Sequence, residues 1–128
     1  MKAAIVLVIA AGCAGDLEDP ARFTSCAPGD VELLLQARCG ACHGAEQPDA
    51  DLDLVSAGLE MRVLGASSKA TCEERTLVEQ GGTEHLLIEK IEAAPSCGSR
   101  MPLGQTPLTP IEIECVKRWV DALAEEAP

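Results

Sequence analysis

From residue 30 onward, apolar positions recur at helical intervals and are separated by short breaks. Val31, Leu34, Leu35 and Arg38 share one spacing that runs straight into Cys39. Asp30, placed after Pro28-Gly29, is the expected N-cap of that helix. Gly44 to Asp53 reads as a loop. A second short helix is expected over Ala57 to Leu64, with Leu59, Val63 and Leu64 as its apolar face, broken by Gly65 to Lys69. A third follows Thr83, carries Leu87, Ile88 and Ile91 on one side, and is expected to stop before Pro95. The stretch "PSCGSRMPLGQTPLTP" holds four prolines and two glycines and predicts irregular structure. The last helix has the clearest start. Thr109 caps it, Pro110 takes the first helical position, and Glu112 closes a capping box. Its expected buried stripe is Ile113, Val116, Val120 and Leu123, flanked by Trp119. No segment alternates with period two, so the pattern predicts a small all-α domain.

Composition changes that picture in one respect. Of 128 residues only Phe23 and Trp119 are aromatic, and Tyr is absent. Aromatic side chains normally supply much of a small core, so the centre must be filled by aliphatics or by a large apolar cofactor. The net charge of −11 excludes a phosphate-binding surface, and no basic run interrupts it. The acidity serves either solubility or the steering of a partner. Seven cysteines are many for this length; they indicate metal ligation in a reducing compartment, or covalent bridges in an exported protein.

The N-terminus favours export. "MKAAIVLVIAAGC" places Lys2 before an apolar run from Ala3 to Ala11 that is too short to span a bilayer. The small residues Ala10-Ala11-Gly12 before Cys13 resemble the lipobox of bacterial lipoproteins, which implies lipidation of Cys13. An uncleaved anchor or ordinary signal cleavage would export the chain equally. Residues 1–12 are therefore expected to form a signal peptide. Residues 13–29 are read as a polar tether, 30–124 as the domain and 125–128 as a tail.

The chemistry is carried by "CGACH", Cys39 to His43. Zinc needs four ligands, usually in two matched pairs. Here the other cysteines are scattered singly and His85 stands alone. A thioredoxin-like dithiol opens a helix in a βαβ unit, whereas this motif closes a helix in a chain without strands. A plain disulfide has no use for the histidine. Covalent haem uses all three: Cys39 and Cys42 as thioethers to the two vinyl groups, and His43 as the axial ligand on one face of the iron. For the other face the candidates are Met61, His85 and Met101. Met61 lies in the second helix, where a core thioether is expected. His85 is expected near the cap of the third helix or facing solvent. Met101, in a loop pinned by Pro102, is the expected ligand.

With "CGACH" followed by helices, "RMPLG" and the capped "TPIEIECVKRWVDAL", the chain resembles class I c-type cytochromes over Asp30 to Ala124. That resemblance implies a small helical fold wrapped around one covalent haem c, with the first and last helices crossing beside it. It implies electron transfer rather than substrate turnover, with His43 and Met101 as iron ligands and Cys39 and Cys42 as attachment points. A backbone carbonyl within Gln47 to Asp51 should fix the His43 ring, and Leu52 and Leu54 should pack against the porphyrin. The remaining cysteines depart from minimal members of that family: Cys26, Cys72, Cys97 and Cys115 permit three pairings, and the favoured one joins Cys72 to Cys97, stapling the third helix to the ligand loop, and Cys26 to Cys115, tying the first helix to the last. The expectation is a monomeric periplasmic or cell-envelope monohaem electron carrier, attached to the membrane by an N-terminal lipid. Its redox partners would present basic docking patches, and it would bind no nucleic acid. The alternatives are a haem protein with an exchangeable sixth ligand, acting in ligand binding, peroxidase-like chemistry or sensing, and a disulfide-rich lipoprotein without haem.

Overall fold

A computed structural model describes residues 26–126 apart from Glu73. The expected signal peptide, Cys13, the expected tether up to residue 25 and the end of the expected tail lie outside the described residues. Among those described there are four α-helices and no strand: α1 (Pro28–Cys39), α2 (Leu59–Val63), α3 (Leu86–Ile91) and α4 (Pro110–Glu125). The all-α reading therefore stands.

Helix α1 starts three residues ahead of expectation. Pro28 occupies its first turn and Ala27 is the extended N-cap, while Asp30 falls inside the first turn. Proline tolerates that position because its missing N–H would be an orphan anyway, and Asp30 there complements the positive end of the helix dipole. The helix ends at Gly40, whose N–H donates to the Gln36 carbonyl at 3.1 Å. A Cβ on Gly40 would lie 2.5 Å from that carbonyl oxygen, so the second residue of "CGACH" has to be glycine. The turn continues through the motif, with the His43 N–H donating to the Cys39 carbonyl at 2.9 Å.

Helix α4 forms as its sequence predicts. The Glu112 N–H donates to Thr109 Oγ1 at 3.3 Å, and the Thr109 N–H donates to Glu112 Oε2 at 2.7 Å. Its buried face is Cys115, Val116, Trp119, Val120 and Ala124. That face is rotated from the expected stripe: Trp119 joins it, and Ile113 and Leu123 are only half-buried. Helices α1 and α3 both pack on α4. Val31 and Leu35 of α1, one turn apart, meet this core together with Leu59 and Val63 of α2 and Ile88 and Ile91 of α3.

The shortest helices depend on their surroundings, as isolated helices of this length are unstable in water. The first N–H groups of α3, Leu86 and Leu87, donate to the Thr76 and Leu77 carbonyls at 3.3 and 3.0 Å. This satisfies donors that a helix start leaves open. Helix α3 stops at Ile91, ahead of Pro95. Arg62 of α2 reaches back to the carbonyls of Asp53, Ser56 and Ala57 and so closes the loop before it.

The four described cysteines outside the motif adopt the pairing favoured from the sequence. Cys26 bonds Cys115 with Cα atoms 5.0 Å apart, and Cys72 bonds Cys97 at 5.5 Å. Both distances fall in the usual disulfide range.

Candidate functional site

The elements line an apolar cleft of about 130 Å³ that is partly open to solvent. Leu35 and Cys39 come from α1, Leu86, Leu87 and Ile91 from α3, and Val116 from α4. The loops supply His43, Leu52, Leu54 and Met101. Residues separated by up to 81 positions thus share one apolar wall.

Cys39 is half-buried and Cys42 exposed, and both are free thiols. Cys39 faces the cleft, while Cys42 sits on the exposed turn outside the wall. Burial pushes the Cys39 thiol up from its ordinary value, opposed by the Arg38 guanidinium and reinforced by Cys42. A dithiol redox centre needs the opposite shift, toward a thiolate at neutral pH.

His43 carries the most specific geometry. Its Nδ1 lies 3.1 Å from the Asp49 carbonyl oxygen. A carbonyl can only accept, so in the neutral ring Nδ1 holds the proton and Nε2 keeps a free lone pair. That is the tautomer of a metal-ligating imidazole, held by the kind of outer hydrogen bond such ligands use. The Asp49 acceptor lies in the interval marked out from the sequence. It is fixed by its own N–H donating to the Cys42 carbonyl at 2.9 Å. The Leu54 N–H donates to the His43 carbonyl at the same distance, which brings Leu52 and Leu54 to the wall.

Met101 is half-buried and held on several sides. Its N–H donates to the Lys90 carbonyl at 2.7 Å, and Arg100 Nε donates to the Ile91 carbonyl at 3.2 Å. The Met101–Pro102 peptide is cis. Upstream, Glu89 accepts from the Ser96 N–H and lies 2.7 Å from Arg75. These two partners, Ser96 first, hold the Glu89 carboxyl down at about 2. The Cys72–Cys97 bond adds a covalent tie. Downstream, Arg38 Nη2 donates to the Thr106 carbonyl at 2.7 Å and the Pro107 carbonyl at 3.2 Å. The residue beside Cys39 thus anchors the far end of the Met101 segment.

The two other ligand candidates lie elsewhere. Met61 is 85% exposed, which corrects its expected core role: α2 is one turn and a half long and buries only Leu59 and Val63. His85 is the N-cap of α3, but it is buried rather than solvent-facing. Its Nδ1 accepts from the Glu79 N–H at 3.1 Å, and Asp121 Oδ1 lies 3.9 Å from Nε2. It belongs to the packing between α3 and α4 and has no place in the cleft wall.

The acidic loop side chains have local tasks. Asp51 lies 2.8 Å from Lys69, and Asp53 accepts from the Val55 and Ser56 N–H groups at 2.9 and 3.0 Å. The Ser56 and Val55 bonds, aided by Arg62, hold Asp53 down at about 2.

Lys69, Thr71 and Lys90 also line the cleft, and no motif marks the first two. The available signal was Lys90 itself, which follows Leu86 and Leu87 at four and three positions and therefore shares their face.

No family model matches the chain, and no curated protein or solved structure matches it.

Proposed function

We propose that this chain holds one covalently attached haem c and acts as a monohaem one-electron carrier. One observation carries the reading. An imidazole of the ligating tautomer and a thioether line the same apolar cleft, and one cysteine of the CxxCH motif lies in the wall beside them. Cys39 and Cys42 would form the thioethers, and His43 and Met101 would hold the iron. When bound, the iron porphyrin supplies a one-electron couple. The chain does the rest. Asp49 orients the imidazole through its carbonyl. The stitching of residues 96–101 to α3 holds the thioether in place. The aliphatic wall of Leu35, Leu52, Leu54, Leu87 and Val116 keeps water off the site. Met101 as a soft ligand would favour the reduced form relative to a second imidazole.

Two disulfides in a chain with a signal-like N-terminus support an exported, cell-envelope location. With a net charge of −11, the complementary redox partner is a protein with a basic docking patch, and the association weakens with salt.

The test is optical spectroscopy of the matured protein. The ferric wild type should be low-spin, Met101→Ala should turn it high-spin, and Met61→Ala should leave it unchanged. A spectrum indifferent to Met101→Ala would contradict the ligand assignment.

A further inference from the structure

The cleft wall is mostly aliphatic, and one corner of it is not. Lys90 lines the cleft from α3 as a half-buried residue, and its Nζ donates to the Cys97 carbonyl at 3.0 Å. Lys69 lies 2.8 Å from Asp51 and Lys117 lies 3.0 Å from Asp121, but Lys90 makes no ion pair among the described residues. Thr71, exposed and therefore at the rim, is the second polar group here. The two converge on Gly98: a Cβ there would lie 2.7 Å from Thr71 Oγ1 and 2.8 Å from Lys90 Nζ. The Cys72–Cys97 bond fixes both sides of this corner.

A half-buried ammonium with one neutral partner is poorly compensated, and two of its three donors remain for a ligand. A hydroxyl beside it completes a site for one carboxylate at the rim of an apolar cleft. We propose that Lys90 and Thr71 receive a carboxylate on the edge of the flat apolar ligand that fills the cleft. On the haem reading, on which this inference rests, that group is one of the two propionates. The corner would then fix which way the porphyrin edge faces and distinguish its two carboxylates.

The test uses the matured full chain carrying haem labelled with ¹³C at the propionate carboxyls, with both signals followed against pH in the ferrous state. A contact with an ammonium favours the charged carboxylate. One propionate should therefore bind its proton about tenfold more weakly than the other, a separation of about one pH unit. Lys90→Met should bring the two together, Thr71→Val should narrow the gap, and Lys90→Arg should keep it. Two propionates titrating alike in the wild type, or an asymmetry that survives Lys90→Met, would overturn the proposal while leaving the covalent haem reading standing. A chain that takes up no covalent haem would remove both.

Discussion

Removing each disulfide in turn separates what holds the domain together from what holds Met101. The bridge Cys26–Cys115 spans 89 positions and Cys72–Cys97 spans 25. The chain-entropy relation for loops of those lengths gives about 4.6 and 3.5 kcal/mol respectively at 25 °C. Both are large beside the ~5–15 kcal/mol that holds a typical domain. Urea unfolding of Cys26→Ala/Cys115→Ala and Cys72→Ala/Cys97→Ala, followed by far-UV circular dichroism, should show losses in that order, separated by about 1 kcal/mol. The local consequences should run the other way. The Met101 N–H, bonded to the Lys90 carbonyl, should exchange faster in the Cys72/Cys97 variant than its global stability explains. In the Cys26/Cys115 variant it should follow global unfolding. A larger stability loss for the shorter loop, or unchanged Met101 exchange without the Cys72–Cys97 bond, would show that the two bridges do not divide these roles.

Other consequences can be checked on the same protein. Thr109→Ala removes the capping box and should cost about 1 kcal/mol in thermal or urea unfolding, while Thr109→Ser should stay within a few tenths. Asp53 and Glu89 are both held at about 2 in the folded chain, below their ordinary 3.8 and 4.5. Depressed folded-state values mean that their stabilisation is complete above the ordinary values and is lost as pH falls through about 2. Unfolding midpoints measured from pH 5 to 2 should therefore fall, and Asp53→Asn/Glu89→Gln should flatten that limb while lowering the neutral-pH midpoint. A limb of unchanged slope in the double variant would place the acid sensitivity elsewhere.

The sequence was most informative where one residue acts through its neighbours in the chain. The capping box at Thr109 and the helix running into Cys39 are local arrangements, and each appears where expected. The cleft-facing set was legible for a different reason. His43, Leu52, Leu54 and Met101 flank a motif or a proline-bounded loop whose chemistry restricts the options. Tertiary packing decided the rest. Met61 sits at helical spacing in α2, but five residues can bury only one edge, and that edge went to Leu59 and Val63. His85 looked like an exposed cap. The polypeptide at residues 76–79 folds over it and supplies the Glu79 N–H as its donor, a contact no periodicity announces. The roll of α4 that buries Trp119 depends on where α1 and α3 lie against it. Lys90 reads as an ordinary surface cation until the segment at Cys97 closes beside it.

Everything proposed for the cleft depends on a covalent bond between this chain and a haem. The most direct measurement is expression of the full chain with a cytochrome c maturation system, followed by denaturing electrophoresis with haem staining and an alkaline pyridine spectrum. One haem per chain should survive denaturation, and it should be lost in Cys39→Ala/Cys42→Ala. A wild-type chain that emerges without haem, from cells that load a control cytochrome, would contradict it.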